Sequence, residues 1–263
     1  MNNKLLKISI TLLLATIIII NLNSCKPKKK PNTPENLKKT SAELPKPLTS
    51  LKEDLDKLYK PLEKTISEKM TPKPSASESF GKKQATPSPE QKALSDATKA
   101  VDKIHKDWND IQPELAKNGA SSQIIEQFSN SLNALTASLK TNNPSTIAVA
   151  TNEVYKFIPD FMALFKAKNT PEIYRVTYQV RDIFLKAYHD NWPEAKSGIA
   201  SLNREWATLR ASIQQKQLSI ANKIDYSIKE LEKAIDARDK SLVKIESEIL
   251  NTNIDSLEKA LKK

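Results

Sequence analysis

The sequence predicts an all-α protein: a helical bundle of about seven helices, built from a duplicated three-helix unit and carried on a disordered N-terminal tether. Three observations predict it. The 263 residues include only three glycines, too few for the turns that strands require. From Pro89 onward, apolar residues recur at steps of three and four, the period of a helix with one buried face. Ten of the fifteen prolines fall at or before Pro89. There Lys, Ser and Thr fill the gaps, and little apolar surface is left to offset the entropy of ordering.

The chain opens with a short basic region, Met1 to Lys7, followed by an apolar run from Ile8 to Leu22 that closes on Leu22-Asn23-Ser24-Cys25. A basic start, an apolar stretch and small residues at its end are the marks of a secretory signal. The ending resembles the lipobox of bacterial lipoproteins, with Leu22, Ser24 and Cys25 in pattern and Asn23 an uncommon choice. The resemblance implies that residues 1–24 are a signal peptide and that Cys25 carries lipid. It also implies that the protein sits on the extracytoplasmic face of the cell membrane. The competing reading is an uncleaved span. Ile8 to Cys25 lacks charge for eighteen residues, near the lower limit for crossing a bilayer, but Asn21, Asn23 and Ser24 make its last turn polar. Cys25 is the single cysteine, which excludes an internal disulfide and any multi-cysteine metal site.

Residues 25–89 read as a Pro/Lys-rich tether. Lys26, Lys28, Lys29 and Lys30 begin it, either against lipid headgroups or simply solvated. Within it Leu48, Leu51, Leu55, Leu58, Leu62 and Ile66 form a helical stripe, interrupted by Pro61. This is read as a short amphipathic helix over 48–69, either free or docked on the main domain.

The helical domain is expected over 90–263, with repeat units at about 90–168 and 190–263. Leu94, Ala97, Val101, Ile104, Trp108 and Ile111 lie on one helical face. Trp192, Ala195, Ile199, Leu202, Trp206 and Leu209 repeat that spacing 98 residues later, and Lys106-Asp107-Trp108 matches Arg204-Glu205-Trp206. At an offset of 96, Phe128, Leu132 and Leu135 correspond to Ile224, Ile228 and Leu231, while Val154 and Phe161 correspond to Leu250 and Leu257. A linking helix over 171–190 separates the two units. Pro144, Pro171 and Pro193 open helices, whereas Pro159 is expected to kink one.

Nine of the fifteen aromatic residues lie between Tyr155 and Trp192, where the copies join. Two readings stay open there. One is an aromatic core with Arg175 and Arg181 solvated. The other is a ligand cleft formed by Tyr155, Tyr174, Tyr178, Arg175 and Arg181, suited to a carboxylate or phosphate.

The stretch running through Trp108, Asn118-Gly119-Ala120, Asn152-Glu153-Val154-Tyr155, Ile158-Pro159-Asp160-Phe161, Trp192 and Trp206 is similar to the helical domain of uncharacterised lipoproteins of low-GC Gram-positive bacteria. The resemblance covers about 93–212 and implies no particular activity.

No residue set for catalysis stands out. His105 and His189, the two histidines, belong to no helical metal-binding spacing, and there is no Gly-rich phosphate loop or nucleophile elbow. No enzyme activity, cofactor or metal is therefore expected. The net charge is +11, of which Lys4 and Lys7 lie in the leader. For an exported chain that charge suits a membrane or an envelope partner and argues against nucleic acid. The sequence points to a non-enzymatic interaction module. Its alternatives are a small-ligand or metal receptor of an uptake system and a host-binding surface lipoprotein.

Overall fold

The computed structural model describes residues 44–70, 88–165 and 170–262, all within one compact unit, Lys39–Lys263. The leader, Cys25, the basic run after it and the Pro-rich stretch 71–87 lie outside the described residues. The described residues form nine α-helices and no strand. Among them, no helix is long and apolar enough to cross a membrane.

The first helix, α1 (Lys46–Met70), corrects the expected boundary at residue 90. It is a core element. Leu48, Leu51, Leu55, Tyr59 and Leu62 are fully buried, and α1 packs along α2 (Pro89–Lys117) and α4 (Pro144–Tyr155). Pro61 lies on the exposed side of the helix, as does Lys57, whose carbonyl loses its helical N–H partner there. The many prolines around this segment lower its average hydropathy, while the apolar stripe itself has a continuous helical period.

The remaining helices of the first half are α3 (Ser122–Ser138) and α5 (Ile158–Ala163). Local sequence sets their ends. Ser88 begins α2 with a reciprocal capping box to Gln91. After α2, Gly119 takes φ +100°, the left-handed conformation that glycine adopts without a steric penalty. Pro159 sits in the first turn of α5. The expected kink is thus a full break, with α4 ending at Tyr155 and a new helix opening on the proline.

The second half comprises α6 (Pro171–Tyr188), α7 (Trp192–Ala211), α8 (Leu218–Asp236) and α9 (Lys240–Leu261). The duplication is visible in detail. Trp108 and Trp206 are both about 95 % buried. The indole of Trp108 donates to Ser129 Oγ at 3.1 Å, and that of Trp206 donates to Asp225 Oδ1 at 2.6 Å. Asn143 caps α4 by accepting from Ser145 and Thr146, as Asp239 caps α9 by accepting from Ser241 and Leu242. The residue before each cap, Asn142 or Arg238, is left-handed at φ 49° or 53°.

The repeat also extends further than the sequence indicates. α6 packs along α7 and α9 as α1 packs along α2 and α4. The buried residues Leu48, Leu51, Leu55, Leu58, Tyr59 and Leu62 of α1 match Ile173, Val176, Val180, Ile183, Phe184 and Ala187 of α6 in spacing. α6 is therefore not a linker between three-helix units. It is the first helix of a second four-helix unit, α6–α9, that answers α1–α5.

Candidate functional site

The two units meet at a polar knot formed by α1, α4, α6 and α9. Arg181 of α6 is 96 % buried, which corrects the expectation of a solvated or cleft-lining arginine. Its guanidinium carbon lies 4.3 Å from the ring centres of both Tyr59 and Tyr155, a cation held between two π faces. Arg181 Nη2 donates to Asp56 Oδ1 at 2.6 Å. Asp56 also pairs with Lys52 at 2.9 Å, and Lys52 reaches Glu258 of α9 at 3.3 Å. The Tyr174 hydroxyl donates to Glu258 at 2.9 Å. A chain of opposite charges thus runs from α6 through α1 to α9 and returns to α6.

The electrostatics follow from burial and pairing. Burial opposes ionisation of Asp56, but Arg181 and Lys52 outweigh it and hold the carboxyl below its usual range. Burial also opposes the Arg181 charge, and Tyr155, Asp56 and Tyr59 more than restore it. Burial pushes the phenols of Tyr59 and Tyr155 well above their ordinary values. Glu63, one turn further along α1, is the exception. Burial, reinforced by Glu248 and Asp255, pushes its carboxyl up to about 7, although Arg181 and Lys60 pull the other way. Its Oε1 accepts from Asn251 Nδ2 at 3.4 Å.

The five residues expected to share one cleft are divided. Tyr155 and Arg181 lie inside the knot, and Tyr174 flanks it through Glu258. Arg175 and Tyr178 line a separate open concavity of about 280 Å³ with Ile124, Lys156, Phe157, Asp160 and Glu205. There Arg175 pairs with Asp160 at 2.7 Å. Glu153 pairs with Lys156 at 2.5 Å and accepts from the Tyr178 hydroxyl at 3.3 Å. Burial, then Glu153 and Asp182, raise the Tyr178 phenol.

Sequence reasoning missed Lys52, Asp56, Tyr59, Glu63 and Glu258. All but Glu258 sit on α1, within the stretch read as tether. The available signal was the shared spacing of the α1 and α6 stripes, which places Asp56 and Arg181 at corresponding positions.

Chemically the knot is a clamp. Its cation pairs with a carboxylate through Nη2 and lies between two rings, and its phenols stay protonated. Arg181 Nη1 and the Tyr59 hydroxyl are buried without a hydrogen-bond partner among the described residues. Among the described residues no group of three or more His, Cys, Asp or Glu is arranged to hold a metal ion. His105 lies on the outer side of α2, its Nε2 2.7 Å from the Thr136 hydroxyl. Comparison with family models, with curated proteins and with solved structures returns no match.

Proposed function

We propose that the protein is an extracytoplasmic lipoprotein, anchored through lipid on Cys25, whose duplicated helical unit serves as a non-enzymatic interaction module. The observation that carries the reading is the apolar run closing on Leu22-Asn23-Ser24-Cys25, with the single cysteine at the position a lipobox requires. Two or more acyl chains on that residue would anchor stably, since each buried CH₂ contributes about 0.8 kcal/mol. Eighteen residues separate Cys25 from Leu44. Fully extended they reach at most ~60 Å, enough to hold the folded unit clear of a membrane surface. The ion pairing of the knot supports a rigid scaffold, with Asp56–Arg181 and Lys52–Glu258 holding one unit to the other.

Metabolic labelling with a tagged fatty acid tests the anchor. Label should appear on the wild-type chain and be lost in Cys25→Ser, which should also remain uncleaved. Label persisting on the serine variant contradicts the reading.

One observation favours a second reading, a receptor for a small anionic ligand. The concavity beside Arg175 presents Lys156 and Arg175 next to Phe157 and Tyr178, and an anion bound there would take these cations from Glu153 and Asp160. A thermal-shift screen of carboxylates and phosphates addresses it. A true ligand at a hundredfold excess over its Kd stabilises by about 2.7 kcal/mol.

A further inference from the structure

We propose that the outward face of α9 docks an amphipathic helix of a partner protein, one whose apolar stripe is flanked by lysine or arginine. Leu242, Ile245 and Ile249 are 44–46 % exposed and fall at i, i+3 and i+7. That is the spacing of a helix–helix seam, and it spans about 10 Å of helix. They account for three of the five exposed large hydrophobic residues among those described. Such clustering on one face marks an interaction surface.

The duplication supplies an internal control. The corresponding positions on α4 are Thr146, Val149 and Glu153. The fold therefore tolerates polar residues at two of the three, and the full apolar stripe on α9 is not needed for the four-helix unit itself.

Charge selects the occupant. Glu246 and Glu248 flank the stripe at the positions next to the seam, and among the described residues neither forms an ion pair. In a helix–helix seam these flanks choose the partner and its orientation. A second copy of α9 laid antiparallel would set carboxylate against carboxylate. An anionic lipid surface would meet the same two charges. A helix with basic flanks pairs with both. The proposal extends the interaction-module reading by naming its surface and partner. It does not depend on the lipid anchor, so the labelling experiment and the one below can fail separately.

The test uses the compact unit Lys39–Lys263 and two synthetic amphipathic peptides, identical in their leucine stripe, one with lysine and the other with glutamate at the flanking positions. Fluorescence anisotropy should show the lysine peptide binding at least about tenfold more tightly, with the difference shrinking as salt is raised. Ile245→Ser/Ile249→Ser should abolish binding of both, and Glu246→Lys/Glu248→Lys should reverse the preference, with Glu246→Lys alone, away from the buried Glu63, shifting it in the same direction. Equal binding of the two peptides, or binding of neither, overturns the proposal. So does a dimer in sedimentation velocity that the Ile→Ser variant loses, which would assign the face to a second copy. Stripe-dependent binding to phosphatidylglycerol vesicles would assign it to a membrane and overturn the proposal as well.

Discussion

Asp56 and Arg181 stand at corresponding positions in the first helices of the two units, 125 residues apart, and they pair with each other at 2.6 Å. The contact is therefore one between the two copies, made by substituting opposite charges at a single repeat position. Both rings of the cage around the guanidinium come from the first copy. Tyr155 comes from α4, and Tyr59 comes from α1, where α6 has Phe184. A buried pair of this kind is weak evidence for net stability, since desolvation offsets much of the attraction. It specifies how the units register.

Arg181→Ala should destabilise the protein by about 3–5 kcal/mol, because it leaves the Asp56 carboxylate without its main partner in a largely buried place. Asp56→Leu with Arg181→Met should recover most of that loss, since an apolar pair of similar volume avoids the desolvation cost. Denaturant melts of the single and double variants measure the difference. A double variant as unstable as Arg181→Ala would show that the cation–π cage, and not the ion pair, holds the units together.

Glu63 gives a pH signature. Its carboxyl is pushed from 4.5 up to about 7 in the folded protein, so the folded state binds the proton more tightly than the unfolded state. The stability this group contributes is fully present below pH ~4.5 and is lost as pH rises through about 7. Asp56 acts in the opposite sense at the acid end, its lowered value making stability fall as pH drops below about 4. Melts between pH 5 and 8 should show wild type weakening with rising pH and Glu63→Gln nearly flat. Parallel curves would rule out Glu63 as the group responsible.

The paired tryptophans test the duplication. Trp108 packs on Phe128, ring centres 4.1 Å apart, and on Phe161 at 5.7 Å. Trp206 is buried to the same extent and donates its indole N–H to Asp225 of α8. Truncating either to alanine should cost about 3–5 kcal/mol, the usual range for a buried aromatic. Denaturant midpoints read both losses. A large loss in one variant and none in the other would count against equivalent roles.

Much of the fold was legible because long helices advertise themselves by period. The stripes through Trp108 and Trp206, and the openings at Pro144, Pro171 and Pro193, all lie where the spacing puts them. What was hidden depended on tertiary context. α1 is surrounded by prolines and carries one internally, so composition masked it although its stripe was intact. Arg181 reads as a surface residue on its own helix, since only the arrival of Asp56, Tyr59 and Tyr155 from other helices makes burial tolerable. The expected five-residue cleft failed for the same reason. Tyr155, Tyr174, Arg175, Tyr178 and Arg181 are close in sequence, but helical geometry sends Arg175 and Arg181 to different sides of α6.

α1 is the first helix of the first unit, as α6 is of the second, and not part of a spacer. Each fully buried Leu contributes about 1.5–3 kcal/mol, so removing the α1 stripe forfeits an amount comparable with the whole net stability of a typical domain, about 5–15 kcal/mol. The direct measurement is the thermal unfolding of Lys39–Lys263 beside Pro89–Lys263, followed by circular dichroism. The longer chain should melt in one cooperative transition, and the shorter should show no cooperative transition and should bind a hydrophobic dye. A Pro89–Lys263 fragment that melts cooperatively at the same midpoint as the longer chain would contradict the account.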